Sequence, residues 1–128
     1  MLALDYGSAR CGCAISDPTG TIVTPIGAIE RPATKRGFAR LRELVGEKDV
    51  ERIVVGLPLA LHGGDSDQTR EARAFADDLA TRVDVPVEMY DERFTTRIAQ
   101  RFGDRSAADE DSRAAAHLLE GWLASRAR

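Results

Sequence analysis

Residues 2–17 read LALDYGSARCGCAISD, and the rest of the chain is arranged around them. The pattern predicts a short buried strand that ends at Asp5, then a tight turn and a second strand. A carboxylate at the end of a buried strand is costly unless a cation or hydrogen bonds meet it. Gly7 and Gly12 carry no side chains, so we expect open space beside Asp5 that suits a metal ion or a phosphate. The alternative is that Asp5 only starts a turn by bonding its own backbone.

Length and charge restrict the class of protein. The 128 residues fit one domain, residues 1–128, with room for a hydrophobic core. The net charge of −3 disfavours a passive nucleic-acid coat protein, but it allows a nuclease with an acidic active site. No apolar run is long enough to span a membrane, and the first residues lack the basic start of a signal peptide. We therefore expect a cytoplasmic protein.

The two cysteines, Cys11 and Cys13, lie two positions apart in the second predicted strand. This spacing points both side chains to one face of the sheet and disfavours a disulfide between them. A zinc site would need further ligands, and the chain has only two histidines, His62 and His117. We interpret both cysteines as buried structural thiols.

Hydrophobic periodicity predicts three strands in a row, followed by alternating helices and strands. Pro25 in the third strand indicates an edge position or a bulge. Unbroken apolar residues over 53–59 indicate a strand covered on both faces. This order predicts an α/β fold, in which a mixed five-stranded sheet carries helices on both faces and the first strand is central. The predicted strands span 2–4, 10–15, 21–28, 53–59 and 85–90, and the predicted helices span 34–47, 67–82, a short stretch between Thr95 and Gly103, and about 106–125.

Acidic residues stand at three places that such a sheet can bring together. Asp5 ends the first strand, Asp91 and Glu92 follow the fifth, and Asp111 continues the apolar stripe of the last helix. No lysines accompany these carboxylates, so their convergence predicts a divalent cation. Oxygen ligands favour Mg²⁺ or Mn²⁺ over zinc, and two such ions about 4 Å apart can support phosphodiester hydrolysis. The spacing of Asp111 is equally compatible with a purely structural role.

Three arginines follow the fifth predicted strand. Arg97 and Arg101 share one face of the short predicted helix by their i, i+4 spacing, and Arg93 lies just before it. Together they are a candidate phosphate-binding group. The alternative is an ordinary solvated helix face.

The chain resembles the YqgF/RuvX family over nearly its whole length, because four motifs occur in the order found there. Each motif alone is weak, whereas four at compatible spacing are specific. The resemblance implies an RNase H-like fold of the RuvC type. It also implies a nuclease that matures the 5′ end of the small-subunit (16S) ribosomal RNA precursor, or a Holliday junction resolvase. The motifs are Asp5-x-Gly7-x-x-Arg10-x-Gly12-x-Ala14-x-Ser16-Asp17, Gly56-Leu57-Pro58-Leu59, Asp91-Glu92-Arg93-x-Thr95-Thr96, and Asp111-x-x-Ala114-Ala115 before Leu118-Leu119.

The resemblance also implies which carboxylates are catalytic. It implies that Asp5, Glu92 and Asp111 bind Mg²⁺ or Mn²⁺ and form the catalytic centre. Asp91 is the alternative to Glu92, because a shift of one residue along a strand decides which side chain faces the site.

Substrate contacts are expected from basic residues near these acids. We expect Arg10, Arg93 and Arg97 to orient the phosphates that are not cleaved. The segment 103–108 is shorter and less basic than in the family, which predicts a smaller nucleic-acid contact on that side.

Two further function classes stay open from the sequence. Sugar kinases and actin-like ATPases also bind phosphates with a strand-Asp-x-Gly-turn-strand hairpin, but they need two such domains. A non-catalytic RNA-binding factor for ribosome assembly could keep the same fold. The expected partner is a nucleic acid, either an RNA precursor or branched DNA. Junction cleavage would need two symmetry-related sites, hence a homodimer, whereas RNA-end cleavage would not.

Overall fold

The computed structural model describes residues 1–57, 67–91 and 107–126. Within these ranges the chain forms five strands and three helices. In chain order they are β1 (Leu2–Asp5), β2 (Arg10–Ser16), β3 (Val23–Glu30), α1 (Lys35–Glu47), β4 (Ile53–Leu57), α2 (Asp67–Ala80), β5 (Val87–Asp91) and α3 (Ala107–Arg126). The short helix predicted between Thr95 and Gly103 lies outside the described residues.

The strands form one sheet in the order β3-β2-β1-β4-β5. The pairs β1–β2 and β2–β3 are antiparallel, whereas β1–β4 and β4–β5 are parallel. The predicted mixed five-stranded sheet with a central first strand is therefore confirmed. Because β1, β4 and β5 run in the same direction, their carboxyl ends meet at one edge of the sheet, where open α/β sheets commonly place their ligand sites.

The predictions for β4 and β3 are both confirmed. Ile53, Val54 and Val55 in β4 are fully buried, as expected for a strand covered on both faces. β3 is an edge strand, Pro25 lies within it, and its register with β2 shifts between Cys13 and Ala14.

β3 begins at Val23, two residues later than the periodicity predicts. The reason is the preceding turn, in which the Asp17 carboxylate accepts hydrogen bonds from the backbone N–H groups of Thr21 and Ile22 at 2.8 and 3.0 Å. These two residues therefore serve the turn and not the strand ladder.

Helices cover both faces of the sheet, as predicted. On one face α1 and α2 pack against the even-numbered residues of β1 and the odd-numbered residues of β2 and β4. This side holds the larger core. On the other face α3 packs against small side chains of β1 and β2. The first core contains Leu2, Leu4, Phe38, Leu41, Ile53, Val55, Phe75 and Leu79, and the second contains Ala3, Ala14, Ala115, Leu118 and Leu119.

Local signals explain where the helices begin and end. Thr34 caps α1 by accepting a hydrogen bond from the Gly37 N–H at 3.1 Å. α2 ends at Ala80, two residues before the predicted end, because Thr81 and Arg82 form a turn whose N–H groups donate to Asp78 and Leu79. No helix in the described part of the chain has the length and apolar character needed to cross a bilayer.

Candidate active site

Asp5 is the last residue of β1 and lies between two glycines of the neighbouring strands. Its register partners are Gly12 in β2 and Gly56 in β4. Ala3, two positions earlier, packs against Leu118 of α3. Since side chains alternate along a strand, Asp5 is on the same face as Ala3, and its half-buried carboxylate lies on the side that α3 covers.

Gly12 lets α3 come unusually close to the sheet beside Asp5. A Cβ atom at Gly12 would lie 1.9 Å from the Asp111 carbonyl oxygen and 2.2 Å from its carbonyl carbon. Only a residue without a side chain fits there. The backbone of Asp111 is therefore pressed against the register partner of Asp5, and two residues 106 positions apart in sequence become neighbours.

The expectation of open space beside Gly7 and Gly12 is wrong. A Cβ atom at Gly7 would lie 2.7 Å from the Arg10 carbonyl oxygen, so this glycine serves a tight turn. The room that Gly12 leaves is filled by the backbone of α3. Both glycines bring protein backbone close to Asp5, and any ligand space lies on the solvent side of that contact.

Asp111 forms an ion pair that the sequence reasoning missed. The Arg10 Nε donates a hydrogen bond of 2.9 Å to the Asp111 Oδ2, and the two side chains are 44% and 31% exposed. No lysine accompanies these acids, but for Asp111 the Arg10 guanidinium supplies a cation instead. The sequence does indicate that Arg10 is near this site, because Arg10 and Gly12 are two positions apart in β2 and therefore lie on the same face of the sheet.

This pair is weak enough to be exchanged. Exposed ion pairs contribute about 0–1 kcal/mol, because solvent screens them and both side chains lose freedom. A divalent cation could therefore bind Asp111 in place of Arg10, and a phosphate could bind Arg10 in place of Asp111. Either exchange would cost little free energy.

The buried thiol of Cys11 reports that both carboxylates are close. Cys11 and Cys13 are free and buried, as predicted for structural thiols. The pKa of Cys11 is raised well above its ordinary value, first by its hydrogen bond with Cys13 and then by burial. The negative charges of Asp5 and Asp111 raise this pKa further. Asp5 and Asp111 thus act on one point of the sheet from two separate elements.

The third predicted carboxylate lies at the same edge of the sheet but outside the described residues. Gly56 is the register partner of both Asp5 and Tyr90, so the end of β5 is level with Asp5 across the sheet. Glu92, Arg93 and Arg97 lie beyond this end, in the part of the chain that the structure does not describe. Over residues 1–57, 67–91 and 107–126, no three Asp, Glu, His or Cys residues form a group that could hold a metal ion.

The donor set at this edge fits a hard divalent cation. It consists of carboxylate oxygens from a strand end and from the first turns of a helix, whose backbone meets the sheet at Gly12. Mg²⁺ and Mn²⁺ prefer such ligands, and they are bound through one or two carboxylates with the remaining positions left to water and substrate. Asp5 and Asp111 are the described residues that could hold such an ion.

Comparison with known protein families gives a match over most of the chain. The sequence model of the family described as "RuvX: Holliday junction resolvase" matches residues 1–125. Two relatives carry the name "Putative pre-16S rRNA nuclease". The relative from Mycobacteroides abscessus is 41% identical over 136 residues, which cover 99% of this chain and 82% of the relative. The relative from Maridesulfovibrio salexigens is 39% identical over 131 residues, which cover 97% of this chain and 97% of the relative.

Solved structures with the same fold include Holliday junction resolvases. The structure described as Thermus thermophilus RuvC in complex with a Holliday junction substrate matches with a TM-score of 0.64 and 15% identity, over 99% of this chain and 96% of that one. The structure of a fowlpox virus resolvase with Holliday junction DNA matches with a TM-score of 0.60 and 11% identity, over the full length of both chains. At these identities the likeness establishes the fold, which is the RuvC type of RNase H-like sheet that the sequence predicts.

Proposed function

The chain belongs to the RuvX family, and on that basis we propose that it is a nuclease that hydrolyses phosphodiester bonds with the help of a divalent cation. The observation that carries the proposal is the contact at Gly12, which places Asp111 of α3 beside Asp5 of β1. We further propose that residues 1–128 form one RNase H-like nuclease domain.

Asp5, Glu92 and Asp111 are proposed to hold Mg²⁺ or Mn²⁺. The support for a third carboxylate here is the register of β5, whose Tyr90 is level with Gly56 and so with Asp5 across the sheet. Asp91 is the last residue of β5 and Glu92 follows it in the chain, so both stay candidates for the third carboxylate. When bound, such cations activate a water molecule and stabilise the departing oxygen of the cleaved ester.

Residues of this chain would orient the substrate. Arg10 lies on the same face as the two carboxylates, and its guanidinium can form paired hydrogen bonds with a phosphate. We propose that it leaves Asp111 for a phosphate of the substrate when the cation occupies Asp111. Arg93 and Arg97 are proposed to contact further phosphates.

The substrate we favour is the 5′ end of a 16S ribosomal RNA precursor. Its support is the name shared by relatives about 40% identical over almost the whole chain. Such a precursor is made and processed inside the cell, so this function implies a cytoplasmic location.

The second candidate is cleavage of Holliday junctions. Its support is that the matching family is described as a Holliday junction resolvase and that two structures with the same fold are resolvases in complex with Holliday junctions. Unlike RNA-end cleavage, symmetric cleavage of a junction requires the protein to be a homodimer.

Cleavage of two substrates by matched variants tests the proposal. The parent protein with Mn²⁺ is incubated with a precursor RNA that carries its 5′ extension, and separately with a four-way DNA junction. We expect cleavage of the RNA to leave 5′-phosphate ends, and Asp5→Asn and Asp111→Asn to abolish it. Asp77→Asn, an exposed position in α2 away from the site, is the matched control and should cut like the parent.

Each outcome selects among the candidates. Cleavage of the junction but not of the RNA would select the resolvase function. An Asp5→Asn variant that cuts as well as the parent would overturn the metal assignment. Equal RNA binding with and without Mn²⁺, together with no cleavage of either substrate, would show a non-catalytic RNA-binding protein.

A further inference from the structure

A groove of about 470 Å³ opens beside the β1–β2 turn, on the side of the sheet that carries α1 and α2. Tyr6 and Ser8 of the turn form one wall, Arg31 and Thr34 ahead of α1 form another, and Glu71 of α2 closes it. The Tyr6 ring stacks on Phe75 of α2 with the ring centroids 4.6 Å apart, which holds this wall in place. Its volume is within the range of pockets that bind small organic ligands, so it can take a nucleotide-sized unit.

The groove and the candidate active site share the β1–β2 turn. Tyr6 of the groove directly follows Asp5, and Ala9 directly precedes Arg10, which reaches Asp111. The Arg31 backbone N–H donates to the Ala9 carbonyl oxygen at 2.9 Å, which ties the far wall of the groove to this turn. A strand with one phosphate at Asp5, on the α3 face, would reach the groove on the other face by passing over the β1–β2 turn.

Three cations surround the start of α1. Arg31 lines the groove, and Lys35 and Arg36 are exposed in the first helical turn after its lining residue Thr34. With the described residues, these three side chains form no ion pair. Five arginines of the described ranges do have acidic partners, namely Arg10, Arg40, Arg52, Arg70 and Arg82, whereas Arg42 farther along α1 resembles the three cations in forming no ion pair with the described residues.

The stability of α1 does not explain the position of these cations. The first turn of α1 contains no acidic residue, although acids are the side chains that the N-terminal end of a helix favours. Lys35 and Arg36 instead add positive charge to the positive end of the helix dipole. The positive charges of these side chains and of the helix end repel one another, and a bound anion would relieve this repulsion. A phosphodiester backbone is a suitable anion.

From the groove, the three cations around the start of α1 and the β1–β2 turn that the groove shares with the active site, we propose that this surface binds the phosphate backbone of the nucleic-acid strand that the active site cleaves. The inference rests on the proposed function and adds the path of the substrate. Contacts to phosphates carry no sequence information, so binding here is independent of base sequence. Glu71 is the acid of the groove, and its charge opposes the phosphates from the α2 side.

Fluorescence anisotropy with a short labelled single-stranded RNA tests the proposal in EDTA, where cation-dependent cleavage cannot occur. The test protein is the triple variant R31A/K35A/R36A. Its matched control, R40A/R42A/K48A, removes the same amount of charge from the same helix but farther from the groove. Thermal unfolding checks that both variants are folded.

We expect the test variant to bind RNA about tenfold more weakly than the parent and the control to bind within about twofold. The slope of log affinity against log salt concentration should become shallower by about two, since each lost phosphate contact contributes about 0.7. Glu71→Gln should act in the opposite direction and tighten binding by roughly twofold to fivefold, because it removes a repulsive charge.

The outcome separates this inference from the proposed function. Equal affinity of the test variant and its control, or no RNA binding by the parent, would overturn the groove assignment even if the parent cleaves RNA. Conversely, weaker binding by the test variant supports the groove even if no substrate is cut.

Discussion

Replacing Gly12 with alanine should push α3 away from the sheet and separate the two carboxylates. The added Cβ would lie 1.9 Å from the Asp111 carbonyl oxygen, whereas ordinary contact begins at 3.4 Å. The opposing atom belongs to the backbone and cannot rotate away as a side chain could. The amino-terminal part of α3 must therefore shift by about 1.5 Å, against the packing of Ala115 and Leu118.

The cost of this shift can be estimated from the size of the chain. Overpacking of a dense core costs about 1–3 kcal/mol. With an unfolding entropy of about 2.1 cal/mol/K per residue, 128 residues give a fall in Tm of about 4–11 °C. Because a misplacement of about 1 Å in a catalytic group costs about a hundredfold in rate, cleavage should fall by a similar factor.

Gly46→Ala is the matched control for this substitution. Gly46 lies in α1, its Cβ would meet nothing within 4 Å, and its φ is not positive. The same change should raise stability by about 0.4–1 kcal/mol and leave cleavage intact. Thermal unfolding and a cleavage assay measure both variants. A Gly12→Ala protein that melts and cuts like the parent would refute the close approach of α3 at this position.

Three further predictions follow from the same geometry. Mn²⁺ at about a hundred times its Kd should stabilise the parent by about 2.7 kcal/mol, or about 10 °C in Tm, and Asp111→Asn should lose this shift while Asp77→Asn keeps it. Cys11 and Cys13 are buried and the pKa of Cys11 is raised, so iodoacetamide at pH 8 should label the native protein far more slowly than the unfolded chain; equal rates would contradict their burial. The pKa of Asp17 is lowered by its hydrogen bonds with Thr19 and with backbone N–H groups, so its stabilising effect is present above its unfolded pKa of about 3.9 and is lost as pH falls through the folded value. Denaturation from pH 7 to pH 2 should therefore show the parent losing its advantage over an Asp17→Asn variant in acid, and a constant difference would contradict this assignment.

Most of the sheet could be predicted because its signals are local. The continuous apolar run at Ile53 predicts a strand covered on both faces, and Pro25 predicts an edge strand with a bulge. Strand and helix bounds were missed by two residues where a turn competed, as at the Asp17 carboxylate before β3. Such side-chain hydrogen bonds to the backbone depend on the exact path of the chain.

The immediate surroundings of the candidate site could be predicted only in part. The sequence shows that Gly12 lacks a side chain, but it does not show that helix backbone fills the space. The pairing of Arg10 with Asp111 depends on the same approach of α3, since the two residues are 101 positions apart. The roles of Asp5, Glu92 and Asp111 stay predictions, because their proof requires a bound cation.

Anomalous diffraction from a crystal soaked in Mn²⁺ tests most directly whether Asp5 and Asp111 coordinate the same cation. We predict a manganese peak within about 2.2 Å of a carboxylate oxygen of each residue, with the Arg10 guanidinium moved off Asp111. An absence of manganese at these oxygens, or carboxylates that face separate regions of solvent, would contradict a metal-dependent active site at this edge of the sheet.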